Sequence, residues 1–72
     1  MIKLDGIATF VQVAEAGSIS EAARRLRLAK SVVSERLVEL ERSLGTVLVH
    51  RTTRRLSLTE DGIAFLERAT RI

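Results

Sequence analysis

The residues of this chain best suited to chemistry are cations and small hydroxyl groups, and their placement suits an anionic polymer. Between positions 24 and 55 stand nine basic residues: Arg24, Arg25, Arg27, Lys30, Arg36, Arg42, Arg51, Arg54 and Arg55. Three acids share that segment, Glu35, Glu39 and Glu41, so it carries +6. The other positions sum to −3, and the net charge of +3 conceals this division. Three of the arginines, 51, 54 and 55, fall within five residues that hold no acid. They repel one another unless an anion lies near. Upstream, Lys30, Ser31, Ser34 and Glu35 recur at helical spacing. Lysine can donate to guanine O6 or N7, glutamate can accept from cytosine N4, and serine can pair with base or phosphate.

Other chemistries find little support. His50 is the single histidine and there is no cysteine, so neither a zinc site nor a His-activated nucleophile has its parts. His50 reads as a surface or packing residue of a basic segment. No Gly-rich phosphate loop is present. No cofactor, metal or catalytic residue is expected. The 72 residues, 8.0 kDa, make one small domain. No apolar run is long enough to cross a membrane, and the first residues lack a signal-peptide pattern. With two aromatics (Phe10 and Phe65) and no proline, the core must come from Leu, Ile, Val and Ala.

The elements that position these groups follow from periodicity and caps. In residues 3–16, Leu4, Ile7, Ala8, Val11 and Ala14 form an expected apolar stripe, flanked by Phe10 and Val13. Gly17 ends that helix as a left-handed cap. Ser18-Ile19-Ser20-Glu21 is a capping box, with Ser18 accepting from the Glu21 amide and Glu21 reaching back. A short helix follows, with Ile19, Ala22, Ala23 and Leu26 on its inner face. The phase of the stripe breaks near Arg27–Ala29. A third helix is expected from about Lys30 to Leu44 on Val33, Leu37, Leu40 and Leu44, closed by Gly45. Its start is open, since Ala29 is a poor cap and Ser31 is an alternative. Val47-Leu48-Val49 and Leu56-Ser57-Leu58 then read as a hairpin with a basic tip. Thr59 caps a fourth helix whose face of Ile63, Leu66 and Ala69 or Thr70 runs on to Ile72. That pattern is unfinished at Ile72, so the chain reads as part of a longer protein.

The expected fold is mainly α: a three-helix core, a two-stranded β wing, and the start of a fourth linker helix. This is a winged helix-turn-helix. The third helix, about 30–44, would enter the ~12 Å major groove of duplex DNA. Lys30, Ser31, Ser34 and Glu35 would read bases. The wing, 51–55, would meet the minor groove and phosphates. Arg24, Arg27 and Arg36 are candidates for phosphate contact. Two further readings are a module binding an acidic protein, and a small enzyme; no acid–base pair or pocket supports the second. The first differs from DNA binding in its salt dependence.

The chain resembles the N-terminal DNA-binding domain of LysR-type transcriptional regulators over nearly its whole length. The matching residues are Phe10-Val11, Val13-Ala14-Glu15, Gly17-Ser18, Ala22-Ala23, Leu26, Val33-Ser34, Leu37, Leu40-Glu41 and Leu44-Gly45. The wing continues the match with Leu48, Arg51-Thr52, Arg54, Leu58-Thr59 and Gly62. The resemblance implies a cytoplasmic, nucleoid-associated bacterial regulator that binds double-stranded promoter DNA. It maps family contacts onto Lys30, Ser31, Ser34 and Glu35, and onto Arg51, Thr52, Arg54 and Arg55. It divides the chain into a DNA-binding domain at 1–58 and the start of a linker and dimerisation helix at 59–72. A homodimer would form through Ile63, Leu66 and Ile72, with tetramers for a full-length protein. A small-molecule effector would act only through a C-terminal domain. Glu35 departs from many members, which carry Arg or a neutral residue there. Val49 departs too, often being Phe or another large residue.

Overall fold

A computed structural model describes residues 4–51 and 56–71. The element order is α1 (Leu4–Ala16), α2 (Ile19–Leu26), α3 (Lys30–Leu44), β1 (Val49–Arg51), β2 (Leu56–Leu58) and α4 (Glu60–Ala69). The helices α1, α2 and α3 pack on one another, and α4 packs on α1. The core is built from Phe10, Val13, Ala22, Ala23, Val33, Leu37, Leu40, Leu48 and Val49. Phe65 of α4 meets Phe10 of α1 edge-on, with ring centroids 5.6 Å apart. Edge-to-face is a favoured geometry for two aromatic rings.

The buried row of α1 is rotated from the expected one. Gly6, Thr9, Phe10 and Val13 face inward, while Ala8 is exposed and Val11 half-buried. A Cβ on Gly6 would stand 3.4 Å from the Leu40 Cβ, so this row lets α3 come close. Hydropathy does not mark a face built partly from glycine and threonine.

The helix ends follow local chemistry. Gly17, at φ 79°, closes α1 with its amide on the Val13 carbonyl at 2.9 Å. The Ser18 hydroxyl accepts from the Glu21 amide at 3.0 Å, which is half of the expected capping box. The return half is replaced: the Glu21 carboxylate instead accepts from Arg24 at 2.8 Å and lies 3.6 Å from Arg25. The hydrogen bond from Arg24 holds the Glu21 carboxyl below its usual range. Replacing Ser18 with alanine is expected to destabilise the fold by about 1 kcal/mol, read as a lower urea midpoint. An unchanged midpoint would show that the cap contributes nothing.

The turn between α2 and α3 is made by Arg27 in the left-handed region, at φ 59°. The Leu28 amide reaches the Ala23 carbonyl at 2.9 Å, closing α2 as glycine usually does. Three residues, Arg27–Ala29, thus separate the two helices. Ala29, not Ser31, is the N-cap of α3, and it makes no side-chain cap bond.

The hairpin is antiparallel, pairing Val49 with Leu58, His50 with Ser57, and Arg51 with Leu56. Its first strand therefore starts two residues later than expected. The backbone of Val47 and Leu48 is engaged elsewhere. Thr59 donates from its hydroxyl to the Val47 carbonyl at 2.6 Å and from its amide to the Leu48 carbonyl at 3.0 Å. The Leu48 amide goes to Glu41 at 2.7 Å. Thr59 also caps α4, accepting from Gly62 at 2.9 Å.

At its other end α4 stops at Ala69 and does not run on as expected. Thr70 turns its hydroxyl back to the Leu66 carbonyl at 3.0 Å and the Glu67 carbonyl at 3.1 Å. Ile72 lies outside the described residues.

Candidate nucleic-acid interface

The buried row of α3, Val33, Leu37 and Leu40, fixes which residues of that helix look outward. Lys30, Ser31 and Glu35 are exposed at its first turns, and Ser34 is half-buried beside them. One helix end thus brings all four sequence-selected residues together. Val38 and Arg42 lie further along the outward face, both exposed. Sequence reasoning counted Arg42 among the basic residues but gave neither a place on this face, although their i+7 and i+11 spacing from Ser31 puts them on its row.

Around this face the flanking cations divide. Arg27 is exposed at the turn, and Arg36 is half-buried. Arg24 is exposed but is tied to Glu21, and that hydrogen bond raises its pKa.

The wing meets α3 at the opposite end. Arg51 is exposed on β1, and its guanidinium lies 3.9 Å from the Glu41 carboxylate. The same carboxylate accepts from the backbone amides of Leu48 at 2.7 Å and Val49 at 3.2 Å. Glu41 therefore fastens the root of the wing to the recognition-helix candidate. Sequence reasoning noted Glu41 only as an acid and a family match, and missed this positioning role. The available signal was an acid inside a strongly basic segment, where each acid needs a reason. Between Lys30 and Glu41 the helix advances roughly 16 Å at ~1.5 Å per residue. Lys30 and the wing root are thus well separated along α3. Thr52, Arg54 and Arg55 lie outside the described residues. His50 is exposed on β1.

The remaining sequence-selected residues lie on α4. Ile63 is 51% exposed, whereas Leu66 is half-buried against the chain's own core. Among the described residues, no group of three or more His, Cys, Asp or Glu is placed to hold a metal ion. No helix among them is long and apolar enough to cross a membrane.

A helix pair joined by a three-residue turn, followed by a two-stranded wing, defines a winged helix-turn-helix domain. The chain belongs to the LysR family of bacterial regulatory helix-turn-helix proteins, whose family model matches residues 4–63. A transcriptional repressor of Pseudomonas aeruginosa, PA14_22550, is 52% identical over 68 residues, covering 94% of this chain and 22% of that protein. The transcriptional regulator CrgA of Neisseria meningitidis is 52% identical over 66 residues, covering 92% of this chain and 22% of CrgA. The chain thus spans about a fifth of the length of these relatives. Among solved structures, the CbnR DNA-binding domain in complex with DNA has a TM-score of 0.92 and 39% identity. That match covers 96% of this chain and 79% of that one. The BenM DNA-binding domain on its catB site 1 DNA has a TM-score of 0.92 and 32% identity, covering 96% and 77%.

Proposed function

We propose that this chain is the DNA-binding part of a transcriptional regulator and reads duplex DNA through α3. The observation that carries this reading is the exposed N-terminal end of α3, where Lys30, Ser31, Ser34 and Glu35 share one outward surface. The +6 segment supplies the long-range attraction. The N-terminus of a helix also favours phosphate. Similarity to domains solved on DNA supports the same assignment.

In this reading Lys30, Ser31, Ser34 and Glu35 face base edges. Arg51, Thr52, Arg54 and Arg55 meet the minor groove and backbone, and Arg24, Arg27 and Arg36 contact phosphates. Residues 1–58 form the DNA-binding unit, and 59–72 begin a linker helix. Ile63, Leu66 and Ile72 serve a homodimer, with the exposed Ile63 as its best-placed member. Two copies would present α3 to major grooves ~34 Å apart or a multiple of it. The regulator works in the bacterial cytoplasm at the nucleoid. Effector sensing would belong to another part of a longer protein.

Selection of bound sequences from random duplexes, followed by affinity measurements across salt, tests the assignment. Log affinity should fall linearly with log salt. Replacing Arg54 and Arg55 together with alanine should flatten that slope by about 2 and weaken all sequences alike. Replacing Lys30 or Ser34 with alanine should instead shift sequence preference, by ~1–3 kcal/mol for a good base contact. If both replacements act alike on every sequence, the division between reading and positioning is wrong. If selection enriches nothing at moderate salt, DNA reading itself is wrong.

A further inference from the structure

The outward row of α3 continues past the four residues assigned to base reading. Val38 stands at i+7 from Ser31, i+4 from Ser34 and i+3 from Glu35, so all four lie toward one face. It is 37% exposed, a large hydrophobic side chain among polar neighbours. Packing does not account for it, because the core row of α3 is Val33, Leu37 and Leu40. Propensity does not account for it either, since a β-branched residue is a poorer helix former than alanine or leucine.

Its position along the axis is informative. At ~1.5 Å per residue, Val38 lies roughly 10 Å beyond Ser31. That is within the ~12 Å width of the major groove. Arg42, four residues further on and exposed, lies roughly 16 Å beyond Ser31. Polar residues on this row can pair with base donors and acceptors. An isopropyl group cannot. The apolar group that base edges offer in the major groove is the C5-methyl of thymine.

We propose that Val38 is a specificity residue that packs against the C5-methyl of a thymine in each half-site. The proposal rests on the DNA-reading role of α3 and adds an apolar reader to it. The site then recognises thymine by a methyl contact as well as other bases by hydrogen bonds.

The test uses the 72-residue chain and the duplex enriched from random sequence. Each thymine is replaced in turn by deoxyuridine, which deletes only the methyl. Wild-type affinity should fall roughly fourfold at one thymine per half-site, the scale of one buried methyl group. Val38→Ala should bind the parent duplex a few-fold more weakly and be indifferent to that same replacement. Val38→Thr, which keeps one methyl, should retain part of the discrimination. Circular dichroism of each variant confirms the fold, which an exposed position should leave intact. Equal losses for wild type and Val38→Ala at the same thymine overturn the proposal. So does a wild type that discriminates at no thymine, or a selected half-site without one. Any of these results, with a duplex successfully selected, leaves DNA reading by α3 standing. Failure to select any duplex removes both.

Discussion

Replacing Glu41 with alanine is expected to lower the free energy of unfolding by about 3 kcal/mol, as hydrogen bonds to a charged group are lost. The expectation follows from where the carboxylate points. One oxygen accepts from two successive backbone amides, those of Leu48 and Val49, at 2.7 and 3.2 Å. Both residues are nearly inaccessible, at 1% and 3% exposure. The β2 strand pairs with Val49 and not with Leu48. Without Glu41 the Leu48 amide would lose its partner in a buried place, at the full desolvation cost. An opposing effect is present but smaller. A carboxylate in the last turn of α3 opposes the helix dipole by ~0.3–1 kcal/mol, which alanine would relieve. The two amide bonds outweigh it. Glu41→Gln keeps one carbonyl acceptor and should cost less, about 1 kcal/mol, because the neutral oxygen is the weaker acceptor. Urea unfolding of the two variants provides the check. If alanine and glutamine are equally mild, Glu41 is an ordinary surface acid.

Gly62→Ala is expected to be at least as damaging, at about 3 kcal/mol or more, although alanine is the better helix former by ~1 kcal/mol. A Cβ at Gly62 would stand 2.1 Å from the Leu48 carbonyl oxygen and 3.0 Å from its carbon. Those atoms are backbone, so no rotamer change can yield. Either α4 lifts away or the wing root shifts. Both movements strain the Thr59 bonds to Val47 and Leu48. A domain of this size holds only about 4–11 kcal/mol in total. The variant should therefore unfold at a much lower temperature than the parent. Gly17→Ala is a useful comparison: among the described residues beyond its chain neighbours, no atom lies within 4 Å of the added Cβ, and only the positive φ is penalised. That penalty is ~1–2 kcal/mol. If Gly62→Ala proves no worse than Gly17→Ala, close approach is not what the glycine provides.

Those two positions also mark where sequence reading reached its limit. The helices, their order, the left-handed cap at Gly17 and the Thr59 cap were legible because caps and stripes are local signals. The α3 stripe held because its buried row consists of large aliphatic residues. The α1 row did not, because Gly6 and Thr9 occupy buried positions that hydropathy assigns to the surface. The start of β1 was misplaced by two residues for a non-local reason. Glu41 and Thr59 are distant in sequence and claim the polar groups that a strand at Val47 would have used. The turn at Arg27 was seen only as a phase break, since an arginine at φ 59° carries no glycine-like signature. On the candidate interface, the α3 cluster was legible from spacing alone. Val38 shares that spacing, but its residue type gave no sign that it is exposed.

Leu48 is gripped from two sides through its backbone. Its amide is held by α3 through Glu41, and its carbonyl is held by Thr59, the residue that starts α4. A torque applied to α4 can therefore reach α3 along a short polar linkage, in parallel with the apolar contact of Phe65 on Phe10. Leu48 is a fulcrum: a tilt of α4 would alter the angle between the wing root and α3, the helix proposed to enter the groove.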